Sequence, residues 1–190
     1  MITTGTNALV IGASAGAVQA LLEILPILPA DYPLAVLVAV HVPPDRDNVL
    51  VPLLQSRCRI RIKEAEDKER LMPGTVYFAP SDYHLLVEHD RSLALSSDEV
   101  VNYSRPSIDV LFESAADAFG SGLVGVILTG ANQDGAEGLE AVIRAGGHGI
   151  VEDPGHAYAS TMPEAALKAC AKARAMRLEE IAHHLARLAK

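Results

Sequence analysis

A chain of 190 residues, 49% of them apolar, is long enough to bury a core and reads as one globular domain over residues 1–190. Its net charge of −8 argues against nucleic acid, which needs clustered Lys and Arg; the one cationic cluster, Arg57, Arg59, Arg61 and Lys63, runs straight into Glu64, Glu66 and Asp67. No apolar run reaches the roughly 18 residues of a membrane span, no basic region precedes the first apolar stretch, and Cys58 and Cys170 make no disulfide framework, which predicts a cytoplasmic protein with reduced thiols.

Strand and helix signals then alternate along the chain. "NALVIGA" is a short apolar run, as a strand buried on both faces should be. "AGAVQALLEILPIL" places Val18, Leu21, Leu22 and Leu25 at helical spacing. "PLAVLVAVHV" is a second buried strand. "DRDNVLVPLLQSR" carries Val49, Leu50, Leu53 and Leu54 on one helical face, with Pro52 expected to kink or shorten it. "CRIRIKEA" alternates like a half-buried strand. "GTVYFAPSDYHLLVEHDRSLALSS" predicts three short strands, with an antiparallel hairpin at the edge of the sheet. The remainder reads as helix "SIDVLFESAADAFG", strand "LVGVILTG", helix "DGAEGLEAVIRAGG", strand "HGIVED", helix "PEAALKACAKA" and a final amphipathic helix, "RLEEIAHHLARLAK". This alternation predicts an α/β fold of three layers, a doubly wound and mainly parallel sheet with helices on both faces.

Ligands of such sheets bind beyond the carboxyl ends of the strands. Four polar loops leave that edge, at Ser14, His41, Asn132 to Asp134, and Glu152 to His156. Ser14 lies in Gly12-Ala13-Ser14-Ala15-Gly16, between a strand and a helix, which is the pattern of a nucleophile elbow. The same serine would equally serve as an N-cap. A dinucleotide fingerprint needs glycine where Ser14 and Ala17 stand. A serine nucleophile needs a base, and the base an orienting acid. His41 and His156 both leave the expected edge, and the residues alone leave that choice open. Asp134 is the leading acid and Asp153 its runner-up, although Asp134 followed by Glu137 also reads as a helix cap. No histidine pair has the spacing of a zinc site, and neither a metal nor another cofactor is expected.

Six motifs in order, "IGASAG", "HVPP", "KEAEDKERLMPGTVYFAP", "SRPSIDVLF", "GVILTGANQDGAEGL" and the Met162-Pro163-Glu164-Ala165-Ala166 stretch, resemble the catalytic domain of the chemotaxis protein-glutamate methylesterase (CheB) family over roughly residues 7 to 190. The resemblance implies hydrolysis of γ-glutamyl methyl esters on the cytoplasmic helices of methyl-accepting chemotaxis receptors, and in many members deamidation of receptor glutamines. It implies Ser14 as nucleophile, His41 as base and Asp134 as acid. It further implies the backbone N–H groups of Ala15 and Ala131 as oxyanion donors, and Arg105 as a residue facing an acidic receptor surface. The family's Thr after the serine is here Ala15, its Met after "LTG" is Ala131, and its histidine before "RPS" is Ser104. The phosphorylatable receiver domain of the full-length regulators has no room in this chain, so control by aspartyl phosphorylation within it is not expected. Two other readings accompany the esterase: a non-catalytic docking relative, and a serine hydrolase for another small ester.

Overall fold

The computed structural model describes residues 7–41 and 49–188. In chain order the elements are β1 (Ala8–Ala13), α1 (Ala17–Ile24), β2 (Ala35–Val40), α2 (Leu50–Gln55), β3 (Arg61–Glu64), β4 (Thr75–Phe78), β5 (His84–Val87), β6 (Leu93–Ser96), α3 (Ile108–Phe119), β7 (Leu123–Ile127), α4 (Ala136–Arg144), β8 (His148–Glu152), α5 (Thr161–Ala169), β9 (Arg174–Met176) and α6 (Leu178–Arg187).

Seven strands form one parallel sheet in the order β3-β4-β2-β1-β7-β8-β9. The central strands β1, β2 and β7 are buried throughout, which is why they read as unbroken apolar runs. Alternate side chains feed two cores. Leu9, Ile11, Val36 and Val38 pack with Leu21 and Ile24 of α1 and Ile181 and Leu185 of α6. Val10, Leu37 and Ala39 share the opposite core with Ile108 and Phe112 of α3 and Leu139 and Val142 of α4. Each fully buried Leu, Ile, Val or Phe side chain contributes about 1.5–3 kcal/mol. The expected three-layer α/β architecture is present.

From β1 the chain moves to β2 on one side and later returns to β7 on the other. The strand order therefore reverses at β1 and β7, and a doubly wound sheet opens its ligand crevice at such a point. Ser14 and Thr129 leave the sheet there.

Several local details differ from the expectations. The first strand of the expected hairpin region, β4, joins the main sheet between β3 and β2. The hairpin itself, β5 with β6, is a separate two-stranded sheet and does not extend the edge of the large one. Its apolar side chains Leu85, Val87 and Leu93 lie in the core with Phe112 of α3, and the Val87 N–H donates to Ser114 Oγ at 3.1 Å. Pro52 falls in the first turn of α2, where a missing N–H costs nothing, so it neither kinks nor ends that helix. Pro163 likewise sits in the first turn of α5, which starts two residues earlier than expected. The short edge strand β9 was not expected at all. Residues 42–48, including Val42-Pro43-Pro44 and the start of the expected second helix, lie outside the described residues.

Candidate active site

The elbow forms because β1 ends against two neighbours at once. The Ser14 N–H donates to Thr129 O at 2.9 Å, and the His41 N–H donates to Ala13 O at 3.2 Å. The Ala17 N–H then closes the turn on Ser14 O at 2.9 Å. Gly16 caps α1 with φ 86°, a left-handed conformation that favours glycine, and a Cβ there would come within 2.8 Å of Tyr158 Cβ. Ser14 does not cap α1: no side-chain cap bond is made. Ala13 pairs with Val40, so Ser14 and His41 continue that register on adjacent strands, about 5 Å apart along the hydrogen-bonding direction. Alternation carries both toward the α3 and α4 face of the sheet.

That face holds the acid. His41 Nε2 donates to Asp134 Oδ2 at 2.8 Å. The other ring nitrogen, Nδ1, accepts from Asn132 Nδ2 at 3.0 Å. The amide cannot be turned round, because Asn132 Oδ1 accepts the Asp134 N–H at 3.1 Å. The tautomer follows: the proton is on Nε2 and the lone pair on Nδ1.

Asp134 is fully buried and accepts five hydrogen bonds. Its Oδ1 takes Asn102 Nδ2 (2.9 Å), Ser107 Oγ (2.9 Å) and the Asp109 N–H (3.2 Å), and its Oδ2 takes His41 and the Ile108 N–H (2.6 Å). Ile108 and Asp109 open α3, so the carboxylate sits at that helix's positive end. Burial pushes the Asp134 carboxyl up, but the bonds from His41, Asn102 and Ile108 outweigh it and hold it below the ordinary carboxylate value.

The expectation that Asp134 caps its own following helix is corrected. The cap of α4 is supplied by Asp109, whose Oδ1 accepts the N–H groups of Gly135 (2.9 Å) and Gly138 (2.6 Å). The two aspartates exchange helices: Asp134 caps α3 and Asp109 caps α4. Burial first, then the Asp134 charge, push the Asp109 carboxyl up against the lowering effect of the Gly138 N–H. The exchange needs close helices, and a Cβ on Gly138 would stand 2.7 Å from Phe112 Cβ and 3.0 Å from Asp109 Cα. Gly138→Ala is therefore expected to cost about 1–3 kcal/mol of stability, measured as a lower urea midpoint at unchanged slope.

The N–H groups around Ser14 divide into two sets. Those of Ser14, Thr129 and Gly130 donate to Thr129 O, Glu152 Oε2 and Ala159 O. Those of Ala15 and Ala131 have no acceptor among the described residues. Thr129 fastens the loop, donating from Oγ1 to Ala15 O at 2.8 Å and accepting the Ala159 N–H at 2.9 Å.

Arg105 is partly exposed and bonded within the chain. Its guanidinium donates to Asp82 Oδ1 from both Nε (3.0 Å) and Nη2 (2.6 Å), and from Nη1 to Ser97 O (2.9 Å) and Asp98 O (2.8 Å). These bonds tie the loop after β6 to the loop before β5. His156 lies on the exposed loop after β8 and pairs with Asp153 at 2.7 Å, not with Asp134. Asn132, Asn102 and Ser107 were not singled out as site residues. Their polarity beside Asp134 and the "RPSID" motif was the only sequence signal, because their partners come from distant segments. Tyr158, packed on Gly16 and 83% exposed, was also missed.

The family model for CheB methylesterase matches residues 9–185. The chain belongs to the CheB methylesterase family. A Leptospira interrogans protein provisionally named protein-glutamate methylesterase/protein-glutamine glutaminase is 45% identical over 182 residues, which cover 96% of this chain and 94% of that protein. A Burkholderia lata protein-glutamate methylesterase/protein-glutamine glutaminase is 44% identical over 84% of this chain, but the match spans only 44% of that longer protein. The crystal structure of the Thermotoga maritima CheB methylesterase catalytic domain superposes with a TM-score of 0.91 at 32% identity, covering 97% of this chain and all of that one. No helix among the described residues is long and apolar enough to cross a membrane.

Proposed function

We propose that this chain hydrolyses glutamate γ-methyl esters on the cytoplasmic helices of methyl-accepting chemotaxis receptors, by attack of Ser14. The observation that carries the reading is the His41–Asp134 pair, 2.8 Å long and formed on an ionised acid, one strand away from a serine on a tight elbow. Ser14 Oγ attacks the ester carbonyl carbon while His41 Nδ1 takes the hydroxyl proton. The oxyanion is held by the N–H groups of Ala15 and Ala131, which have no acceptor among the described residues. Asp134 fixes the tautomer and stabilises the imidazolium. The C–O bond to methanol then breaks, and the His41 proton goes to the departing methoxide. Water, deprotonated by the same nitrogen, cleaves the acyl-serine to the free glutamate and restores Ser14. The same cycle with ammonia leaving is glutamine deamidation, the second activity in the names of the relatives.

The test is methanol release from a methylated receptor fragment, with the unmethylated fragment and a Ser14→Ala protein beside it. Release by the unaltered protein alone is the expected result. Equal release by the folded Ser14→Ala protein would remove the nucleophile, and no release from any sample would remove the substrate.

A further inference from the structure

His41 presents only one lone pair, at Nδ1, and Asn132 occupies it at 3.0 Å. Ser14 makes no side-chain hydrogen bond among the described residues, although its backbone register sets it beside that histidine. The nitrogen that must take the serine proton is thus already engaged. The ring's orientation is fixed by these partners: turned over, the imidazole would set Cε1 against Asp134 and Cδ2 against Asn132. The amide's orientation is fixed as well, since Asn132 Oδ1 is committed to the Asp134 N–H. Asn132 is half-buried, between exposed Ala131 and Gln133.

We infer that Asn132 gates the base, holding His41 Nδ1 closed until a polypeptide substrate takes the amide away. Turning the amide gives up two bonds, to His41 and from the Asp134 N–H. A polypeptide ester carries backbone carbonyls, beyond its side-chain methylenes, that accept from the turned amide and leave the Nδ1 lone pair open. A small free ester carries none, and must compete with Asn132 unaided. The gate therefore selects substrates by what surrounds the ester rather than by the ester itself. It deepens the proposed function and rests on that reading of Ser14 and His41.

The experiment compares the unaltered protein with Asn132→Ala and Asn132→Ser. Three readouts are taken: hydrolysis of p-nitrophenyl acetate, inactivation by phenylmethylsulfonyl fluoride, and methanol release from the methylated receptor fragment. The sulfonyl reagent forms an S–O bond to Ser14 and expels fluoride as the serine proton passes to His41, so its rate reports the serine–histidine pair without any receptor. Opening the gate is expected to speed the first two by about fivefold, the worth of one ordinary hydrogen bond, and to raise the ratio of small-ester to receptor turnover. Loss of a merely structural contact lowers rates and does not raise them. If the unaltered protein reacts with the sulfonyl reagent and the variants react no faster, the gate is overturned while the nucleophile stands. If none of the three proteins reacts or releases methanol, the nucleophile reading falls and the gate with it.

Discussion

Replacing His41 with alanine is expected to lower kcat by about 10⁴- to 10⁶-fold, leaving only what binding and the oxyanion donors supply. His156→Ala is expected to leave it nearly unchanged. Both histidines touch a carboxylate, so contact with an acid does not separate them. Position does. His41 continues β2 beside Ser14, and its acid is fully buried and held by four further hydrogen bonds. His156 pairs with Asp153 three residues away on an exposed loop, where such pairs contribute little. Removing His41 leaves the Ile108 N–H on Asp134 Oδ2, so the variant should fold and the loss should be one of rate. Steady-state methanol release together with urea unfolding of both variants checks this. Loss of turnover in folded His156→Ala, with His41→Ala active, would transfer the base to the loop after β8.

The parts of this molecule that were legible in the sequence are those that depend on local pattern. "ALVIGA" and "AVLVAV" announce strands covered on both faces, because every position in them is apolar. The glycine spacing around Ser14 announces a tight strand-to-helix turn for the same kind of reason. Residue choice within the site was less legible. From spacing alone His41 and His156 stood level, and only the resemblance to the family chose between them. What favours His41 physically is that β2 is hydrogen-bonded to β1, a fact of strand order that no local pattern carries. The bonds of Arg105 were illegible for the same reason: its partners Asp82, Ser97 and Asp98 are brought to it by the hairpin. The exchange of helix caps was illegible because Asp134 and Glu137 have the spacing of a local capping box, yet α3 and α4 pack closely enough to exchange aspartates. β9 escaped because three residues on a solvent-exposed edge need no apolar alternation.

The Asp134→Asn variant is expected to lose about 10⁴-fold in kcat, through the tautomer of its neighbour rather than through lost position. An amide has one acceptor oxygen for five donors. The oxygen belongs on the side of Asn102, Ser107 and Asp109, which leaves the NH₂ facing His41 Nε2 and the Ile108 N–H. His41 answers by accepting at Nε2 and carrying its proton on Nδ1, where no lone pair remains for Ser14. Ile108 N–H has no such answer, and an unsatisfied buried donor costs about 1–3 kcal/mol. That penalty depends on pH with a definite sign. A carboxyl whose value is lowered by folding stabilises the fold fully above the ordinary carboxylate value, about pH 4, and the contribution is lost as pH falls below it toward the lowered value. The stability gap between the unaltered protein and Asp134→Asn that comes from the Asp134 charge is therefore expected to shrink as pH falls below about 4. Urea unfolding of both proteins across that range measures it. A gap that stays the same on acidification would mean that Asp134 is not held as an anion in the folded protein, and the tautomer assigned to His41 would lose its cause.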